Sequence, residues 1–421
     1  MIARYTGGEV RRQTVVARLV VVTACAAAAV GWAEPPTRAE EWRRLREEKQ
    51  LQLEPNEPNK VHRAFLWARD SKVLERLAIP GLGWAGFRPA FGGLPTGAGF
   101  GGGVRWDRLR TLGGAVDLHV EALASLASYQ LYRVGFDLPR LADDKLSLGL
   151  FASYQSRPRE DFFGLGPESR EADKSSYLVD ETGLDLELVA RPHRWLTLGG
   201  GWSLRDVDAG PGEEPGEPSI DELFDDVTVP GIGIETELHR YHLFAELSTL
   251  DHRFYPRRGT WLKASYSLYD DRDLDRFDFD RVDLELRHFF NFNNGHRVVA
   301  FRARTSWDDA ATGHEVPFYL QQTVGGASDL RGFEDFRFRD ERQLVLNLEY
   351  RWQAWIGLDG AFFVDAGKVF RDSGDLNFED LEAGYGIGFR FNNGQNTFLR
   401  FDVGNSREGP KIHFKFQRVF P

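Results

Sequence analysis

The chain of 421 residues has a single cysteine, Cys25, and a single methionine, its first residue. Cys25 lies in an N-terminal run that reads as a cleaved export signal, so the mature chain would hold no thiol. That excludes disulfides, thiolate catalysis and cysteine-held metals, even in an oxidising compartment. Basic charge is also in short supply: 53 Lys and Arg face 64 Asp and Glu, a formal net charge of -11. Nucleic-acid binding wants the opposite footprint. Beyond the N-terminus no apolar run of about 18 residues occurs, so no transmembrane helix is expected. No G-x-S-x-G is present, which leaves nucleophile-elbow hydrolases without support.

Glycine and phenylalanine are abundant instead, at 44 and 32 residues. Arg4, Arg11, Arg12 and Arg18 precede the apolar run Leu19 to Val30, and the small residues Gly31 and Ala33 follow. This is the layout of a signal peptide over residues 1–33 cleaved after Ala33. Val22-Thr23-Ala24-Cys25 could alternatively be a lipoprotein box, although apolar residues continue past the cysteine. Residues 34–60 are charged and broken by proline. In residues 61–78, Val61, Phe65 and Ala68 recur on one helical face with Leu66, Val73 and Leu77 beside it, which predicts an amphipathic helix. Residues 34–80 thus read as a periplasmic linker and helix.

From Gly81 onward the period changes to two. In "RVDLELRHFF" (281–290) Val282, Leu284 and Leu286 oppose Asp283, Glu285 and Arg287. "QLVLNLEYRW" (343–352) and "KIHFKFQRVF" (411–420) repeat the pattern. Sixteen strands are expected, starting near 82, 98, 114, 129, 145, 177, 195, 240, 260, 278, 296, 342, 358, 382, 397 and 411. A soluble sandwich also alternates. Here, however, short connections such as "RLADD" and "NFNNG" take turns with long ones at 156–175, 206–238, 308–341 and 370–381. That sorting belongs to transmembrane barrels, whose periplasmic turns are short. The fold expected for residues 81–421 is therefore all-β: a 16-stranded antiparallel transmembrane β-barrel, preceded by the short helical segment.

Three constellations invite chemistry and have plainer readings. "GAGFGG" (97–102) matches G-x-G-x-x-G but has strands on both sides, so close backbone packing explains it better than a dinucleotide site. His239 and His242 would point to opposite faces of a strand, which argues against a metal pair. "YDDRDLDRFDFD" (269–280) lacks the turn glycine and distal glutamate of a calcium loop. No metal, cofactor or catalytic residue is expected.

"VGGASDLRGFEDFRFRDERQ" (324–343) is different. Glu349 and Asp365 fall on the inward faces of adjacent predicted strands, and Arg331 lies on the loop before them. If that loop folds inward, one planar guanidinium can meet both carboxylates. A solvated arginine on an external loop is the competing reading.

"VGGASDLRGF" resembles the sixth-loop motif of the barrel-assembly superfamily, the bacterial surface-antigen family of BamA and TamA, and "FFVDAG" resembles its strand-13 motif. "DHRFYPRRG" and "YQLYRVGFDLP" are similar to its eighth turn and fourth strand. The likeness spans residues 81–421. It implies a loop that enters the lumen, with Arg331, Gly332 and Phe333 at its tip, Gly325 and Gly326 at its base, and Asp365, Glu349, Phe363 and Gly367 on the wall. It also implies a non-enzymatic role in the cell outer membrane: insertion or translocation of polypeptide, or movement of lipid, with outer-membrane lipid and client outer-membrane proteins as partners and no nucleic acid. The stretch 34–80 offers no room for the globular POTRA domains of assembly factors, so the expectation is a reduced form. A passive pore or structural surface barrel is the alternative. An outer-membrane lipolytic enzyme would need a Ser/His pair for which no motif exists.

Overall fold

The structure is a computed structural model that describes Arg44, residues 87–111 except 92, 95, 96 and 100, and residues 115–416 except 294, 393, 395 and 396. The predicted signal, linker and helix of residues 1–80 lie outside the described residues, apart from Arg44. No helix among the described residues is long and apolar enough to cross a membrane.

Sixteen strands form one antiparallel sheet in chain order, each hydrogen-bonded to its sequence neighbour. Their starts fall within five residues of the expected positions. The first is β1 (Phe87–Phe91); β5 (Leu146–Phe162), β6 (Ser175–His193) and β7 (Leu196–Pro211) follow in the first half, then β11 (Arg297–Ala310). The sheet resumes with β14 (Arg342–Trp355) and β15 (Leu358–Phe370), and ends with β16 (Glu382–Asn392), β17 (Thr397–Ser406) and β18 (Gly409–Phe416). Between β11 and β14, two three-residue strands, β12 (Gln322–Val324) and β13 (Phe338–Asp340), pair as a separate hairpin inside the loop of residues 311–341.

Alternation decides which way each residue faces. In β15, Phe363 and Asp365 are 3% and 0% exposed, while Phe362 and Val364 between them are 54% and 55% exposed. The outward set is apolar throughout the sheet, with Leu243, Leu348, Tyr385, Ile387, Ile412 and Phe414 among its members. Soluble proteins rarely leave so continuous an apolar surface to water. A lipid environment removes its cost, and a barrel satisfies every backbone group that lipid cannot. The inward set is polar.

β5 and β6, at 17 and 19 residues, outrun the roughly 10 that span a bilayer. Residues 156–162 of the long connection expected at 156–175 are strand. These strand ends continue past a register shift between Arg157 and Glu160 and build a small core at the long-loop end. There Phe162, Tyr177, Val179, Val207 and Ala209 pack with Ile220, Val229, Phe318 and Tyr319 from two long loops. The long loops therefore form a packed cap in place of the solvated ribbons their composition suggests.

Candidate functional site

The loop of residues 311–341 is held by both of its flanks and by its tip. On the β13 flank, Arg339 donates to the Tyr177 hydroxyl and the Phe318 carbonyl, each at 2.6 Å. Arg337 donates through Nε to Glu408 at 2.9 Å and through its terminal nitrogens to Ser169 Oγ and the Ser169 carbonyl. Both arginines are buried. On the β12 flank, Gln322 donates to both carboxylate oxygens of Asp308. Beneath the hairpin, Val324, Leu330, Phe333 and Phe338 form an apolar plug against Val345 and Val369 of the wall.

The tip needs two unusual glycines to reach that position. Gly325 and Gly326 have φ of 145° and 74°, open to glycine at little cost. A Cβ on Gly326 would also lie 1.6 Å from Asp335 Oδ1. A one-turn helix, Gly326–Asp329, follows, and then Arg331 turns toward the wall. Gly332 accepts the Ser406 hydroxyl on its carbonyl at 2.6 Å. Gly404 of β17 lies directly against the Arg331 carbonyl, where a Cβ would come within 1.2 Å. Gly367 faces inward beneath Val324.

Arg331 is buried and makes a two-sided contact. Its Nε and one terminal nitrogen form a fork on Asp365, at 2.7 and 2.8 Å, and its backbone N–H adds a third bond to the same carboxylate at 3.1 Å. The other terminal nitrogen donates to Glu349 at 2.6 Å. Phe363 packs its ring against the guanidinium, 3.6 Å from Cζ to centroid, a favourable cation–π arrangement. Register explains the convergence: Asn347 of β14 is paired with Asp365 of β15, and Glu349 with Phe363, so the acceptors and the ring form one patch. Burial alone would lower the Arg331 pKa. The Asp365 hydrogen bonds and the Glu349 and Asp365 charges more than reverse it, so the side chain stays cationic.

Every site residue named from the sequence thus meets in one place: Arg331, Gly332 and Phe333 on the tip, Gly325 and Gly326 at its turn, and Glu349, Phe363, Asp365 and Gly367 on β14 and β15. An Omp85 superfamily domain matches residues 111–418. The chain belongs to the Omp85 superfamily. The fold of this Omp85 barrel is shared with BamA from Haemophilus ducreyi lacking POTRA domains 1–3, at a TM-score of 0.58 and 16% identity, covering 78% of this chain and 68% of that one. CdiB from Escherichia coli is similar at a TM-score of 0.52 and 14% identity, over 79% of this chain and 62% of that one. No curated protein sequence matches the chain.

Sequence reasoning missed the outer ring of the Omp85 lock. Arg390 of β16 donates to both oxygens of Glu349 and, at 2.5 Å, to Asp402 of β17. Arg351 donates to Glu349 at 2.6 Å, and Asn347 bridges Asp365 and the Asp329 carbonyl. A signal existed: Arg390 and Asp402 stand inside the strand patterns "GFRFN" and "LRFDVG", where an inward charge demands an inward partner. Arg337 and Arg339 alternate with Phe336 and Phe338 at strand period in the same way. In the acidic stretch 269–280, Asp271 accepts backbone N–H bonds from Asp273, Leu274, Arg276 and Phe277, so it organises the turn. Asp275 and Asp278 come within 4.8 Å of His314 at the loop end, a grouping invisible in sequence because the histidine is on another loop.

Proposed function

We propose that this barrel works in a bacterial outer membrane, assisting the insertion or translocation of polypeptide, or the passage of lipid, by movement of its terminal strands. The observation that carries this reading is that the locked loop is tied to the last strand as well as to the wall. Lys411 of β18 reaches Glu334 of the loop at 2.9 Å, and Lys415 of β18 donates to Ser328 Oγ. Displacing β18 therefore pulls on the loop, and the Arg331 lock resists. Family membership and the BamA-like fold support the same reading, and no bond-making step enters it.

Reconstitution tests it. Liposomes containing the full chain should speed the folding of an added outer-membrane barrel client over empty liposomes, and Arg331→Ala should remove most of that gain while the barrel itself remains folded. Steady single-channel conductance without any acceleration of client folding or lipid movement would assign a passive pore instead.

A further inference from the structure

Below the lock, a cavity of about 650 Å³ opens within the barrel, lined by inward residues of the strand Phe279–Phe292, of β11, β14, β16, β17 and β18, by the loop tip and by the connection 249–258. That connection folds back over the cavity, its Tyr255 hydroxyl donating to buried Asp359 of β15. Nine arginine and lysine side chains line the space, against two lining carboxylates, Glu285 and Glu349. This is an inversion of the whole chain, whose formal net charge is -11.

The available carboxylates are already shared. Glu285 takes Arg287 and Arg302 at 2.7 and 2.6 Å. Asp329 takes Arg302 and Arg304, each at 3.1 Å. Glu349 serves Arg331, Arg351 and Arg390, and Asp402 serves Arg390 and Arg400. With Asp365 on Arg331, five carboxylates pair with seven of the nine lining cations, and the surplus is concentrated at the other two. Arg253 has its guanidinium over the Phe254 ring, and Lys415 donates to Ser328 Oγ; neither has a carboxylate within ion-pair distance among the described residues. Crowded like charges are relieved by an oxyanion, which supplies several acceptors and negative charge together. One carboxylate would neutralise a single cation. A phosphate group carries close to two charges and three acceptor oxygens, which suits a space lined by cations from several elements. The volume lies within the range of small-ligand sites and leaves no room for a folded partner.

We propose that this chamber binds a phosphate-class oxyanion, a diphosphate or a phosphomonoester headgroup, held by Arg253 and Lys415 among the cations that line it. The assignment is independent of whether the barrel inserts polypeptide.

Calorimetric titration of the detergent-solubilised full chain with inorganic pyrophosphate tests it. The expected result is saturable binding that weakens as salt rises, because charged groups and counterions are exchanged. Arg253→Gln and Lys415→Gln should each weaken binding about tenfold, the scale of one lost charge-assisted hydrogen bond, with the gel-shift temperature of the folded barrel unchanged by Arg253→Gln. Arg253 is on a connection outside the strands, so its substitution remains informative if Lys415→Gln does not fold. Dioleoyl phosphatidic acid in the micelles distinguishes the source: competition with pyrophosphate, absent with dioleoylglycerol, assigns a lipid headgroup, and pyrophosphate binding without competition assigns a soluble phosphate. No saturable pyrophosphate binding, unchanged affinity in Arg253→Gln, or binding of a polyglutamate peptide in place of pyrophosphate would overturn the proposal.

Discussion

Arg331 shows why an arginine can be buried in a loop that looks solvent-facing by composition. Its fork fills both oxygens of Asp365, its remaining nitrogen reaches Glu349, and Phe363 covers its face. Lysine would supply a point charge and lose the fork. The approach that makes these contacts possible is set by Gly404, against which the Arg331 carbonyl rests. Gly404→Val should therefore undock the tip without altering any charged group, at a cost of about 1–3 kcal/mol from overpacking. External protease should then cleave within residues 325–335, which are buried or half-buried in the folded barrel and should resist cleavage in the wild type. Continued protection would mean the tip tolerates a side chain there and that the close approach is incidental.

At the scale of elements, most strands were legible because period-two alternation is local: Val282, Leu284 and Leu286 against Asp283, Glu285 and Arg287 need no knowledge of the rest of the chain. The loops were not, because their order comes from contacts far apart in sequence. Tyr177 and Arg339 are 162 residues apart, and Ser169 and Arg337 are 168 apart. Polar composition hid the packed cap around Phe318 for the same reason. Glu349 and Asp365 could be placed together on the inward faces of adjacent strands from alternation alone, whereas Arg331 was brought to them by the resemblance of "VGGASDLRGF" to the family's loop motif. The partners on β16 and β17 could not be placed, since the loop had first to be set against that wall. The link from the loop to β18 is testable at this scale. Lys411→Glu should raise amide hydrogen exchange across residues 326–334 by about fivefold, as expected for a loss near 1 kcal/mol at a partly exposed pair. Adding Glu334→Lys should recover part of it. Equal exchange in all variants would remove the mechanical connection between the last strand and the loop.

At the scale of the molecule, the described residues from Phe87 onward form a barrel with an apolar outer face, a polar inner face and a loop that fills part of its interior as a structural member. The outer face calls for lipid, the inner face carries paired charges, and the lock joins the long-loop end of the wall to its last strand. The loop therefore contributes to the stability of the entire barrel, and Arg331 and Asp365 act as one unit. Truncating one partner of a buried pair typically costs about 3–5 kcal/mol, less where water reaches the lumen. The most direct measurement is the temperature at which the folded band on a denaturing gel converts to the unfolded band, for wild type, Arg331→Ala, Asp365→Ala and the double variant. Each single substitution should lower that temperature, and the double variant should fall little further than the worse single, the signature of direct coupling. Fully additive shifts, or no shift in either single variant, would contradict the lock.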